Sequence, residues 1–543
     1  MGKDAKFRGA DLVATMLKRL GVRYIFTLSG NHIMPVFDAL LETGIALIHV
    51  RHEAAAVHMA DAWGRPTGEP GIALVTGGQG HSNGVAALYP ALAADSPVVL
   101  LSGHAPQGEL GRGAFQEMLQ ADLARPVTKA SWTAQAAETL GEDVARAIAI
   151  AKSGRPGPVH VSLPSDLLER AIASDISPAT AEITTTPLTP DIAKETLAQI
   201  KSAKKPLVIC GPSFCNRRGR DMMRDAADAL DAPVIAMESP RGINDPGLGA
   251  FAEVLAQTDL IVLAGKPLDF TLKFGEAPIS PACRWIVLDP DAAMIERAEK
   301  GLGARLTLSA IADPAAALEA LTHAGSKAAA KSSWRMEVDE AIGFAPPAWS
   351  NLRAKTPGHL HPAEMCAIVR DFLAKHPEAT FVSDGGEIGQ WSQALVHPPH
   401  RLINGVGGTI GVALPFSIAA KLARPEHPVV AVLGDGTFGF HMAEFDTAVR
   451  YGIPVIAVVG NDARWNAEYQ IQLRQYGANR AKNCELLPSR YERVAEALGG
   501  FGAHVTAAAD LREALERALQ SGKPACINVV IESVAAPVIR RTN

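Results

Sequence analysis

The strongest constraint on this chain is a repeat of pattern, not of sequence. Short apolar runs rich in β-branched residues end in glycine-containing turns and lead into helical patterns. Such runs occupy 71–76 (GIALVT), 97–102 (PVVLLS), 158–163 (PVHVSL), 206–210 (PLVIC), 258–264 (TDLIVLA), 285–289 (WIVLD), 379–383 (ATFVS), 428–433 (PVVAVL), 454–459 (PVIAVV) and 525–531 (ACINVVI). A continuous apolar run of this length suits a strand buried on both faces. Strands separated by helices pair in parallel, with the helices covering the sheet. The pattern therefore predicts an α/β fold of doubly wound parallel sheets.

Two segments interrupt it. Residues 172–191 are rich in Ser, Thr and Pro, and residues 324–361 combine polar low-complexity stretches with several prolines. Read as linkers, they divide the 543 residues into three α/β domains, at 1–175, 190–325 and 357–543. The outer two are alike in size and strand style, although no short repeat is visible. With 48% hydrophobic and 20% charged residues, the chain can bury ample cores and is not a disordered protein. Its 57 acidic and 52 basic residues nearly balance, which gives no sign of a nucleic-acid binder. Six scattered cysteines form no CxxC pair, as expected of reduced thiols in the cytoplasm. No apolar h-region stands at the N-terminus and no run approaches a membrane span, so neither a signal peptide nor a membrane partner is expected.

The sharpest motif lies in the third domain. The run PVVAVL leads into Gly434-Asp435-Gly436-Thr437-Phe438-Gly439 and then a helical pattern. Formally this is GxGxxG between strand and helix, a loop whose backbone N–H groups can approach a diphosphate. A nicotinamide-dependent oxidoreductase is one reading. Asp435 argues against it, because a carboxylate aimed at a diphosphate repels unless a cation lies between. Mg²⁺ suits that position, being held by carboxylates together with phosphate oxygens. One strand later, PVIAVVG ends in Asn461-Asp462, which places a second carboxylate at the same edge of the sheet.

GDG, then 27 positions from Asp435 to Asp462, with Trp465 close behind, resembles the thiamine-diphosphate (ThDP) binding motif. That family usually has Asn at the position of Asp462; Asp keeps an oxygen ligand. The resemblance implies metal ligation by Asp435, Asp462 and the backbone carbonyl of Arg464, and cofactor contacts from Gly434, Gly436, Thr437 and Trp465. In the first domain, Arg51-His52-Glu53 resembles the family's RHE motif, in which Glu hydrogen-bonds the aminopyrimidine ring. In Gly407-Gly408-Thr409-Ile410-Gly411, the resemblance places Ile410 beneath the cofactor and the carbonyl of Gly408 at its 4'-amine. Asp384-Gly385-Gly386-Glu387 resembles part of the same cradle.

The stretches IMPVFDALLETG, RHEAAA, GAFQEMLQADLARPVTKA and EFDTAVRYGIP resemble the acetolactate synthase and benzaldehyde lyase branch, through the whole chain. The resemblance implies a lyase, carboligase or decarboxylase acting on a 2-hydroxy ketone, a 2-oxo acid or a 2-hydroxyacyl-CoA through an enamine. Acetolactate synthase proper is the alternative within the family. His32 matches a proton-transferring His of benzaldehyde lyase, where acetolactate synthases carry a small residue. Gln116 matches the family's pocket glutamine. Asn31, His81, Asn466 and Glu468 are weaker substrate-pocket candidates. Acetolactate synthases bind FAD in the central domain through arginines unmatched here, which leaves FAD doubtful. The segment GKPLDFTLKFGEAPISP is more like the 2-hydroxyacyl-CoA lyases and admits an acyl-CoA. The family's paired domains come from different subunits, which implies a homodimer as the minimal active unit and a homotetramer as the assembly.

Overall fold

The computed structural model describes residues 7–174, 179–327 and 330–541. The chain forms two compact units that divide between Thr184 and Thr185. The first holds one parallel sheet and the second holds two.

The first sheet contains β1 (Tyr24–Thr27), β2 (Ala46–His49), β3 (Gly71–Val75), β4 (Val98–His104), β5 (Ala130–Thr133) and β6 (Pro158–Pro164). The central sheet contains β7 (Pro206–Cys210), β8 (Val234–Ala236), β9 (Leu260–Ala264), β10 (Arg284–Asp289) and β11 (Leu306–Ile311). The third contains β12 (Thr380–Ser383), β13 (His400–Ile403), β14 (Val429–Gly434), β15 (Ile456–Asn461), β16 (Phe501–Val505) and β17 (Ala525–Val530). All strand pairs within these sheets are parallel.

The first sheet runs β2-β1-β3-β4-β6-β5 and the third β13-β12-β14-β15-β17-β16. Counted from each domain's own first strand, the two orders are identical. The central sheet runs β11-β10-β9-β7-β8. In every case the chain leaves its first strand to one side and returns to build outward on the other. That reversal opens a crevice at the carboxyl ends of the strands, where ligands bind in open α/β sheets.

The cores explain the elements. β3, β4, β6, β7 and β9 are buried at every position. In the helix Gly9–Arg19, Leu12, Val13, Met16 and Leu17 recur at helical spacing and are buried, while Lys18 and Arg19 close its last turn. Each such side chain removed from water contributes about 1.5–3 kcal/mol.

The segment 324–361, read as a linker, is partly folded. Ser333–Ile342 is a helix whose Ser332 side chain accepts from the Arg335 N–H, and its Trp334, Val338 and Ala341 join the central core. The polar composition around it hid three apolar positions at helical spacing. Residues 175–178 and 328–329 of the two expected linkers lie outside the described residues. The central and third domains are joined by partly buried ion pairs. Arg401 donates to Glu238 at 2.7 and 3.1 Å, and Arg541 donates to Glu253 at 2.8 and 2.9 Å. Among the described residues no helix is long and apolar enough to cross a membrane.

Candidate active site

In the third domain the register sets the geometry. Gly434 on β14 pairs with Gly460 on β15, so Asp435 and Asp462 leave the sheet at one edge. Gly434 caps the short helix Asp435–His441, and its N–H and carbonyl both bond the Thr437 hydroxyl, at 3.1 and 3.0 Å. A Cβ at Gly436 would stand 2.8 Å from the Trp465 ring, so glycine is what lets the ring close over the turn. Ala463 sits at φ +54, a left-handed conformation costly for a side-chain-bearing residue. The Asn461 side chain holds it there by accepting the Ala463 N–H at 3.2 Å and donating to Ser489 O and Asn528 Oδ1.

These turns surround a cavity of about 260 Å³. Every cofactor, metal and pocket candidate of this domain borders it except Asp384. Asp384 is fully buried, and its carboxylate accepts N–H groups from Gly385 at 2.7 Å, Gly411 at 3.0 Å and Ala413 at 3.0 Å. It therefore shapes the loop that carries Gly408 and Ile410 and makes no wall of the cavity, contrary to the expectation of direct cofactor contact. Burial pushes its pKa up to about 6 against those three donors. Ile410 lies over Gly385, where a Cβ would come 2.8 Å from its Cγ2.

The acids of the cavity are poorly neutralised by protein. Asp435 is 2% exposed, and its Oδ2 is buried without a hydrogen-bond partner among the described residues. Burial pushes Asp435 up to about 6, and burial together with the charge of Asp435 pushes Asp462 up to about 8. Two neighbouring carboxylates, both raised by burial and one with an orphaned oxygen, form a donor set that fits a divalent cation. The Arg464 guanidinium lies over the Tyr469 ring, 4.4 Å from its centroid, and its charge only partly offsets the rise at Asp462. Asn466 is spent on structure, donating to Val534 O at 2.9 Å and accepting from Ser533 and Gln470. Glu468 is an exposed residue at the rim. Among the lining residues that escaped the sequence reading, Ser239, Pro240 and Arg241 come from the central domain, next to the Glu238–Arg401 pair. No local motif marks them, because only the docking of two domains brings them there.

In the first unit, Glu53 opens the helix Glu53–Thr67, capped by the His52 ring accepting from the Ala54 N–H at 3.1 Å. Glu53 is 8% exposed, and its Oε2 accepts from Asn83 Nδ2 at 3.0 Å. Its Oε1 lies 3.3 Å from where a Cβ of Gly80 would be. His32 is buried on the turn Asn31–Ile33, with Nδ1 3.1 Å from Thr76 Oγ1 and its ring stacked on Phe115 at 6.0 Å. Burial, with His104 nearby, lowers its pKa and keeps it neutral. Asn31 beside it is exposed. Gln116 lies at φ +57 with its Oε1 buried and unpartnered among the described residues. Thus Glu53, His32 and Gln116 all border the loop from Thr76 to Gly80. His81 does not join them. It is fully buried, with Nδ1 2.9 Å from Ser102 Oγ and Nε2 3.0 Å from the Gln120 carbonyl, and burial pushes it down to about 4. The expectation of a pocket residue fails because helix geometry turns this side chain into the core.

Three family models match this chain in order. They are the N-terminal thiamine pyrophosphate binding domain at residues 7–124, the thiamine pyrophosphate enzyme central domain at 193–321, and the C-terminal thiamine pyrophosphate binding domain at 384–529. An acetolactate synthase large subunit of Mycobacterium tuberculosis is 33% identical over 98% of this chain and 97% of its own length. A 2-hydroxyacyl-CoA lyase 2 of Bos taurus is 32% identical over 96% of this chain and 90% of its own, and one of Danio rerio is 30% identical over 96% and 91%. The GxGxxG match is thereby separated from the nicotinamide reading: the chain belongs to the thiamine pyrophosphate enzyme family, with acetolactate synthases and 2-hydroxyacyl-CoA lyases among its relatives.

Proposed function

We propose that this protein is a ThDP- and Mg²⁺-dependent carbon–carbon lyase or carboligase acting on a small 2-hydroxy ketone, a 2-oxo acid or a 2-hydroxyacyl-CoA. The observation that carries the reading is the pair of carboxylates on one cavity wall, buried Asp435 with its orphaned oxygen and half-buried Asp462. Those two side chains and the Arg464 carbonyl would hold the metal. Bound ThDP supplies a carbon that makes a carbonyl carbon nucleophilic, so that its bond to CO₂ or an aldehyde can break or form. Glu53 would orient the aminopyrimidine ring, and the neutral His32 would exchange a proton with the substrate hydroxyl. Gln116 would offer its amide to the substrate.

Acetolactate synthase proper is the second reading, favoured by the Mycobacterium tuberculosis relative. His32 favours the first, because its buried imidazole provides a proton relay at a position where the resemblance to acetolactate synthases implies a small side chain. FAD in the central domain stays doubtful on the resemblance, which leaves the flavin-binding arginines of acetolactate synthases unmatched. Lys266, which follows β9, is buried and paired with Asp269 at 2.8 Å. All six cysteines are free, which fits a reducing cytoplasm. The proposed active site pairs Glu53 of one chain with Asp435 of another, in a homodimer or a homotetramer of such dimers.

A thermal-shift series tests the cofactor assignment. ThDP with Mg²⁺ at about 100 times Kd should stabilise the fold by about 2.7 kcal/mol, and NAD should not. Equal shifts with NAD, or none with ThDP and Mg²⁺, would reject it. A product screen with pyruvate, benzoin and a 2-hydroxyacyl-CoA then distinguishes the substrates.

A further inference from the structure

We propose that Gln120 is a positioning residue that fixes the seat of Gln116 by holding the Gly77–Gly78 turn. The inference rests on the reading of Gln116 as a residue facing substrate. Gln120 is 1% exposed, and its amide is used at both ends. Oε1 accepts the Gly78 N–H at 2.8 Å. Nε2 donates to Gly103 O and to Ser162 Oγ, both at 3.0 Å. One side chain thereby ties the turn after β3 to the ends of β4 and β6. Its backbone carbonyl takes a fourth bond, from His81 Nε2 at 3.0 Å. His81 lies on the helix Gln79–Val85, which also carries Asn83, the donor to Glu53.

The turn so held is where Gln116 rests. A Cβ at Gly78 would stand 2.6 Å from Gln116 Cβ and 2.9 Å from its carbonyl oxygen. A Cβ at Gly77 would meet Gly103 O at 2.8 Å and Gln120 Oε1 at 3.1 Å. The two glycines are thus sandwiched between Gln120 and Gln116, and a displacement of the turn displaces Gln116. Gln116 needs such support, because a left-handed φ of +57 in a residue with a side chain persists only where its surroundings over-determine it. The buried Oε1 of Gln116, without a partner among the described residues, is the group presented by this support.

The test is a double-mutant cycle on holoenzyme, with turnover of pyruvate, benzoin and a 2-hydroxyacyl-CoA measured for wild type, Gln120→Leu, Gln116→Ala and the double variant. Gln120→Leu should lower kcat about tenfold, with KM and the ThDP-induced thermal shift within about twofold of wild type. In the Gln116→Ala background the same change should cost less than about twofold, because the residue through which it acts is gone. Multiplicative losses in the double variant, or wild-type kcat in Gln120→Leu, would overturn the inference while leaving the proposed function intact. Full activity in Gln116→Ala, or no turnover of any of the three compounds by wild type, would overturn the reading beneath it, and the inference with it. If Gln120→Leu does not fold, Ser162→Ala removes one partner of the Gln120 amide and enters the same cycle. A smaller kcat loss that disappears without Gln116 supports the proposal, and a loss that persists contradicts it.

Discussion

The first and third sheets share one strand order, yet they arm the same crest differently. After the third strand of each, a glycine caps a short helix: Gly78 in the first domain and Gly434 in the third. In the third domain the next residue is Asp435, whose oxygen is buried and unpaired among the described residues. In the first domain it is Gln79, and the groups packed against that turn are imidazoles and amides that bond one another, with the Glu53 carboxylate beside Gly80. The topology provides the crevice in both. The side chains at the turns make one crevice suited to a metal diphosphate and the other to a neutral organic ring.

That contrast can be broken in order of expected effect. Asp435→Ala should remove metal-dependent ThDP binding. Changing a residue behind a metal ligand already costs about 10–100-fold, and losing the ligand should exceed that in a titration of ThDP affinity. Glu53→Gln should instead lower turnover by roughly 10²–10⁴-fold while leaving the ThDP-induced thermal shift in place. If both variants lost cofactor equally, the division of labour between the domains would be wrong.

The neutral network of the first domain predicts an acid sensitivity of its own. His81 is held near 4 in the folded chain against an ordinary value of 6.5. Between those values the unfolded chain binds the extra proton, so stability is present above about 6.5 and is lost as pH falls toward about 4. The full difference is about 3 kcal/mol, and buried His160 acts in the same direction. Thermal unfolding from pH 7 to 4 should show it, and His81→Gln should flatten that pH dependence. A slope unchanged by the substitution would contradict the assignment.

Smaller effects separate the two glycine turns. Gly78→Ala places a side chain at φ +60 and against the backbone and Cβ of Gln116, at a cost of about 1–3 kcal/mol in unfolding free energy. At Gly436→Ala the obstacle is the Trp465 ring. A ring can move, so this change should weaken ThDP binding more than it lowers the melting temperature of the apo protein. The reverse ranking would remove the distinction.

Sequence reading reached the parallel fold because the central strands are continuous apolar runs. The ten apolar runs leave out β1 and six edge strands, β2, β5, β8, β11, β13 and β16. The edge positions are partly exposed, as in Ala130–Thr133 and Leu306–Ile311, so the apolar signal is diluted. The candidate site was legible where chemistry fixes residue type at a strand end, as at Asp435, Asp462 and Glu53. It was not legible where orientation decides. Asp384 and His81 both stand in the right loops, but their side chains serve the backbone and the core. Gln120 carried no sign of its role, since a glutamine on a helical stretch is usually a solvated one. Arg241 reaches the cavity beside Glu238, which is bound by Arg401, 163 positions further along the chain.

The central claim is that Glu53 of one chain and Asp435 of another build one site. Glu53→Gln and Asp435→Ala chains, each inactive alone, should be mixed, dissociated and reassociated, and turnover measured. Random pairing makes half of the dimers mixed, and each mixed dimer then holds one intact site of two. Activity should return to about one quarter of wild type. If both residues served a site within one chain, no mixed dimer would contain an intact site, and the absence of any recovered activity would contradict the account.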